Sequence, residues 1–294
     1  MLYSKSTRLG YVLTSIHQIY RCILQSIIDT VNHDGVEHAG YLAFLLMLGI
    51  LPFLFFMMAL ASFFGAEHMY DYLVMCINSR QADNLLGALK PRINEIIFSP
   101  PRTLLTFTIL SAVWTASSIF EAMRTILNRA NRIINTPSYL RRRLISIFEF
   151  MTIIITTSFV IILLRLASIL RKIIQGNFVC SIKTLQTVDY FLYKSTVLGY
   201  TCFLLLFSYL VLPNKRMSLS YNVPGIIIVI ASWVSFTKIF NYYIATFSQL
   251  SVIYGGIVGI IISLLYFHFC SVIFIFGAEF NYNFYLEKKK STNL

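Results

Sequence analysis

The stretch YGGIVGIIISLLYFHFCSVIFIFGAEFN, residues 254–281, decides the fold class. Residues 254–278 contain no Asp, Glu, Lys or Arg, and the first charge after them is Glu279. A helix needs ~20 such residues to cross a hydrocarbon core of ~30 Å, so this run is long enough to span a bilayer. Five further stretches read the same way: residues 41–64, 103–120, 145–170, 195–212 and 223–245. Composition agrees with them. Of 294 residues, 57% are hydrophobic and 12% charged, and mean hydropathy is +0.72. A soluble domain carries about a quarter charged residues. A chain this apolar has too little polar surface for water, whereas a bilayer lets the outer face of each helix meet lipid. The expected fold is all-α: a polytopic bundle of six transmembrane helices.

Counting Lys and Arg on alternate sides of these spans gives an orientation. One side collects Lys5, Arg8, Arg21, Arg124, Arg129, Arg132, Arg141, Arg142, Arg143, Lys215, Arg216 and Lys288 to Lys290, 14 in all. The other collects 8, with Arg165 and Lys238 left inside spans. The positive-inside bias places the richer side, and both termini, in the cytoplasm of a bacterial cell with the bundle in its inner membrane. The same bias accounts for the net charge of +12, so a nucleic-acid partner is not required to explain it.

The loops divide into two kinds. Val12, Ile16, Ile19, Ile23, Ile27 and Val31 form an apolar stripe, which predicts an interfacial amphipathic helix before the first span. Residues 67–101 mix Asp71, Arg80, Asp83, Lys90, Arg92 and Glu95 with regularly spaced apolar residues, predicting a second such helix in the first outer loop. The domain reading is therefore a cytoplasmic amphipathic segment (1–40), a six-span membrane domain (41–283) and a basic cytoplasmic tail (284–294), with no signal peptide. Five cysteines are scattered without zinc spacing, and the two on the outer side, Cys76 and Cys180, are near enough in topology for a disulfide.

Four blocks resemble one family. HAGYLAFLLMLGILPFLFFMMALASFFG (38–65) resembles the first span of the YihY/BrkB family of bacterial inner-membrane proteins. VWTASSIFEAMRTILNRANRI (113–133) is similar to its second-span motif, with Trp114, Ser117, Arg124, Leu127 and Asn128 in matching places. LPNKR (212–216) with VPG (223–225) resembles the start of its fifth span, and residues 254–281 its last span with the closing Gly-Ala-Glu. The blocks fall in the family's order over residues 30–283; one departure is Tyr266, where many relatives carry Trp. The resemblance implies a helical membrane protein for which transport or envelope-lipid export has been suggested. It also brings the family's older label, ribonuclease BN, and its virulence-factor name.

Ionisable groups at span ends are the candidate chemistry, since a charge near the bilayer centre costs about 2.5 kcal/mol or more. Glu121, Arg124, Glu149 and Glu279 sit at the inner ends of the second, third and sixth spans, within reach of the arginine run and of Lys215. One reading is a vestibule open to the cytoplasm that accepts an anionic group: Glu121 and Glu279 order the arginines, Arg124 and Asn128 contact the ligand, and Arg141 and Lys215 add charge. The plainer reading is that these groups pair to lock helix ends. Arg165 and Lys238 are expected to snorkel to the outer headgroups.

Other positions read as structural. Pro52 should kink the first span, Pro213, Pro224 and Gly225 shape the turn into the fifth, and Gly255, Gly259 and Ser263 allow close helix approach to the sixth. Ser111, Thr115 and Ser118 share a face suited to interhelical hydrogen bonds. His33-Asp34-Gly35-Val36-Glu37-His38 lacks metal-site spacing, Asp34 reads as a helix cap, and His268 as an interior histidine. No nucleotide-binding loop, nucleophile elbow or paired-carboxylate motif is present, and no cofactor is implied. The expected function is non-enzymatic handling of an envelope lipid or other anionic amphiphile, with membrane lipids as partners. The alternatives are a tRNA-processing ribonuclease, for which only the basic charge is present, and a scaffold for an envelope complex.

Overall fold

The computed structural model describes residues 3–63, 102–134, 137–175, 182–215, 217–246 and 256–292. Seven helices fill them, and no strand occurs among the described residues: α1 (Tyr3–Asn32), α2 (Gly35–Phe63), α3 (Arg102–Ala130), α4 (Tyr139–Gln175), α5 (Ile182–Val211), α6 (Leu219–Thr246) and α7 (Gly256–Thr292). Helices α2 to α7 stand where the six spans were expected. In α4, α5, α6 and α7 the segments Tyr139–Val160, Lys194–Val211, Leu219–Ile244 and Val258–Lys290 are long and apolar enough to cross a bilayer, and Gly35–Ile50 of α2 is a shorter apolar stretch. At most 28% of each of those four apolar stretches is buried by protein, and side chains such as Leu110, Phe148, Ile155 and Ile227 point outward. Only lipid can cover such a surface. The chain is a polytopic helical membrane protein.

Helix α7 organises the bundle, packing against α1, α2, α3 and α6. Its contacts with α6 run antiparallel: Gly225 against Asn281, Val229 against Gly277, Trp233 Nε1 donating to Cys270 O at 3.0 Å, and Thr237 Oγ1 3.2 Å from Tyr266 OH. Tyr266 thus keeps a polar link across the interface and stacks among Phe236 and Phe240. With 37 residues, α7 is about 55 Å long at 1.5 Å per residue, well beyond a ~30 Å core. Its excess length runs antiparallel to α1 and buries Asn283 there. Asn283 Nδ2 donates to Ser26 Oγ at 3.1 Å and Asp29 Oδ2 at 2.9 Å.

That pairing decides how α1 lies. Its polar positions Ser26, Asp29 and Thr30 are buried against the bundle, while Ile19, Tyr20, Leu24, Ile27, Ile28 and Val31 are exposed. Ile19, Ile27 and Val31 of the expected apolar stripe therefore face away from the bundle, as an interfacial helix requires. Asp34 joins α1 to α2 in a left-handed conformation (φ 54°), which Asp tolerates better than most residues. It stands where a cap was expected, yet its carboxylate pairs with Arg129 of α3.

Several expectations fall outside the described residues: the outer-loop helix over 67–101, the Cys76–Cys180 disulfide, Gly255, and the side chain of Arg165. Helix α2 continues through Pro52, and Pro224 lies within the second turn of α6. Ser263 is buried with its hydroxyl on Gly259 O at 2.8 Å.

Two glycines set a contrast. A Cβ on Gly277 would lie 2.2 Å from Val229 Cγ2 and 2.6 Å from the Tyr209 hydroxyl, whereas one on Gly199 would meet nothing within 4 Å. Gly277→Ala should lower stability by about 1–3 kcal/mol through forced overpacking. Gly199→Ala should be neutral or stabilising by about 0.5 kcal/mol. Chemical unfolding in mixed micelles measures both, and equal effects would contradict the packing described.

Candidate functional site

The charged groups gather at the end of the bundle where α1 docks. Arg132, just past α3, is their meeting point. It stands in a left-handed conformation (φ 57°) at the place where helices commonly end in glycine. The bonds Ile133 N to Asn128 O at 2.8 Å and Arg132 N to Arg129 O at 3.0 Å complete that helix-ending motif. The guanidinium of an arginine there makes contacts that glycine cannot. Nη1 donates to Ala130 O at 2.9 Å and Glu279 Oε1 at 3.1 Å, while Nη2 lies 3.0 Å from Glu279 Oε2 and 3.3 Å from Asp29 Oδ2. It caps α3 and ties it to α1 and α7. His33 Nδ1 approaches Glu279 Oε1 at 3.2 Å, so this carboxylate, 1% exposed, is held from two sides.

Arg124 and Glu149 form a second, deeper pair with both side chains nearly fully buried. Arg124 also donates Nε to Leu212 O at 3.2 Å and Nη1 to Arg142 O at 3.1 Å. Asn128, one helical turn on, accepts the Asn214 N–H at 2.9 Å. The expected ligand contacts of the second-span motif are thus both engaged with the 212–216 loop, whose Pro213 is buried between them in sequence. Gly225 N donates to Asn281 Oδ1 at 2.9 Å, and a Cβ at 225 would fall 2.1 Å from that oxygen. Gly225 is glycine because α7 approaches its backbone so closely.

Glu121 sits 3.6 Å from Arg142 and 3.5 Å from Arg143. Arg143 lies flat over the Trp114 ring at 4.2 Å, donating to Trp114 O at 2.9 Å and Ser118 Oγ at 3.0 Å. Ser118 therefore does reach another helix, while Thr115 turns back to Ser111 O at 2.8 Å. Around the α1–α2 turn, Arg129 Nη1 lies 2.9 Å from His38 Nε2; since a guanidinium only donates, this ring nitrogen accepts. His268 packs edge-on to Phe269. Burial, reinforced by Glu287, holds the Cys22 thiol above its usual range; Cys22, Cys202 and Cys270 are free thiols.

Two of the expected binding residues differ from the rest. Arg141 and Lys215 are exposed and have no ion pair among the described residues. Lys215 lines a cleft of about 140 Å³ between the α5–α6 loop and the end of α7, together with Asn131, Ser218, Tyr221, Tyr282 and Tyr285. The rings at its rim carry cations: Arg132 stands 4.9 Å over Tyr282 and Lys288 5.5 Å over Tyr221, which meets Tyr285 edge-on at 5.1 Å. Arg132 and Arg143 were expected as cations within reach of the span-end carboxylates, though not as binding residues, and these tyrosines were not singled out. The signal available was an arginine at the helix-ending position after Ala130, but nothing in sequence said which loop the tyrosines would face.

A family profile described as virulence factor BrkB matches residues 27–293. The chain is 27% identical to the putative ribonuclease-like protein YfkH of Bacillus subtilis, covering 87% of this chain and 92% of that protein. It is 23% identical to a UPF0761 membrane protein of Vibrio vulnificus, covering 86% and 79%. A UPF0761 membrane protein of Vibrio parahaemolyticus is 22% identical over 94% of this chain and 85% of its own length. No solved structure matches.

Arg132 separates charge from backbone. Arg132→Ala should cost about 3 kcal/mol by stranding Glu279 and Asp29 without their cation. Arg132→Gly should recover about 1 kcal/mol of that, because glycine alone adopts positive φ freely. Unfolding midpoints of the two variants in the same detergent decide it; alanine equal to or better than glycine would contradict the strained helix end.

Proposed function

Because the chain belongs to the virulence factor BrkB family, we propose that it is a multi-pass inner-membrane protein that handles an anionic amphiphile at its cytoplasmic face, by transport or export and without covalent chemistry. One observation carries this reading. At the α1 end, Asp29, Asp34, Glu121, Glu149 and Glu279 are all engaged by arginine, while Arg141 and Lys215 stand exposed without an ion pair among the described residues. Locking the helix ends engages those five carboxylates and leaves Arg141 and Lys215 over. The surplus meets an anion from outside, and at a membrane surface the abundant anions are lipid headgroups.

The orientation belongs to the same reading. The face that holds α1 and the end of α7 is the one richer in Lys and Arg, so the positive-inside bias puts it in the cytoplasm. Glu121, Arg124, Asn128 and Glu279 then shape the vestibule by holding its walls, and Arg141 and Lys215 offer the charge. A cysteine placed at Lys289 should react with an impermeant maleimide in inside-out vesicles and stay unlabelled in intact cells.

Transport is read in proteoliposomes by the rate at which a labelled lipid changes leaflet. The protein should speed phosphatidylglycerol over phosphatidylcholine, and Arg141→Gln should slow the anionic lipid severalfold. Rates equal to those of protein-free vesicles, or equal for both lipids, would reject the proposal.

A further inference from the structure

We propose that the cleft between the α5–α6 loop and the end of α7 is a seat for a single phosphate group, with Lys215 as its cation and the hydroxyls of Tyr221, Tyr282 and Tyr285 as its donors. The inference rests on reading this face as the one that meets an anionic amphiphile, and it names the chemistry of the headgroup. Three features of the cleft point to it.

The first is charge. Lys215 lies on the wall with no ion pair among the described residues, Arg132 and Lys288 stand over the rings of Tyr282 and Tyr221, and no carboxylate is among the lining residues. The second is donor geometry. An ammonium is a point charge with three donors, and it can meet a tetrahedral oxyanion from any side. Three tyrosines on two different helices line the same cleft, and each brings a hydroxyl that can donate to such an anion. The third is size and place. A cleft of about 140 Å³ has room for one phosphate with bridging waters. Tyr282 and Tyr285 stand toward the end of α7 and Tyr221 near the start of α6, and tyrosine suits the boundary between lipid and water.

The rim is built rather than incidental. Arg132 holds Glu279 and Asp29 with its nitrogens while its flat face covers Tyr282. The residue that locks three helices also fixes a wall of the cleft. Lys288 does the same for Tyr221, whose edge-on contact with Tyr285 joins α6 to α7. A headgroup phosphate and a small soluble phosphate share this chemistry, and the seat accepts either in principle.

Calorimetric titration of the full chain in neutral detergent tests it, with dihexanoyl phosphatidic acid, inorganic phosphate and dihexanoyl phosphatidylcholine as probes. Saturable binding of phosphatidic acid or of inorganic phosphate is expected, with the diester of phosphatidylcholine much weaker. Preference for phosphatidic acid identifies a lipid headgroup as the occupant, and equal binding of inorganic phosphate identifies a soluble one. Lys215→Gln should weaken binding about tenfold or more, as a lost charged hydrogen bond does. Tyr221→Phe and Tyr282→Phe should each weaken it severalfold. Lys289→Gln, which lies outside the cleft, should leave it unchanged. Because Lys215 is exposed, its variant should keep the parent's helical circular dichroism and melting temperature. Absence of saturable binding, or binding untouched by Lys215→Gln in a folded variant, overturns the assignment. The leaflet-transfer assay can fail while this binding stands, so the two readings are separately refutable.

Discussion

A carboxylate that is 1% exposed at the end of a membrane helix needs a cation that can reach it without itself being stranded, and Arg132 meets that need for Glu279. The arginine is positioned by the end of α3. The left-handed turn there throws its side chain back over the last carbonyls of the helix and on toward α7 and α1. Removing one partner from such a buried pair costs more than the pair contributes net, because the survivor keeps its desolvation penalty. The docking of α1 follows from this contact. Asp29 shares the same guanidinium and also accepts from Asn283 of α7.

Three of the four resemblance blocks meet one another. Arg124 and Asn128 of the second-span motif hold the backbone of the LPNKR turn, and Gly225 of VPG donates to Asn281 in the closing block. The closing Gly-Ala-Glu combines a glycine that admits the Tyr209 hydroxyl with the carboxylate that receives Arg132. These motifs are contacts written in two places along the chain. Their polar atoms face each other since nothing else at that depth can satisfy them. The arrangement also sorts the charges by role, with deep arginines facing carboxylates inside the bundle and Arg141 and Lys215 facing outward.

Much of this was legible in order, because bilayer thickness acts on each segment separately. An uncharged run of 25 residues must be a spanning helix whatever its neighbours do, and the stripe of Ile19, Ile27 and Val31 had to face something apolar. Which charges would become locks and which would stay open was not legible. Arg124, Arg141 and Lys215 are alike as letters at span ends. Whether each meets Glu149, water or a tyrosine-lined cleft depends on which helices lie side by side, a relation between residues as much as 88 positions apart.

The sequence by itself therefore determined the class, the spans, the uneven distribution of charge and the family. Those are local or additive properties, set by the transfer of each segment between water and lipid. Tertiary structure alone decided that Arg132 rather than Arg124 joins Glu279, that α1 turns its polar edge inward, and that Lys215 shares a cleft with Tyr221, Tyr282 and Tyr285. The reason is that pairing of buried polar groups is a matter of distance within a few ångströms, and distance between helices is fixed by packing and not by the chain's local chemistry.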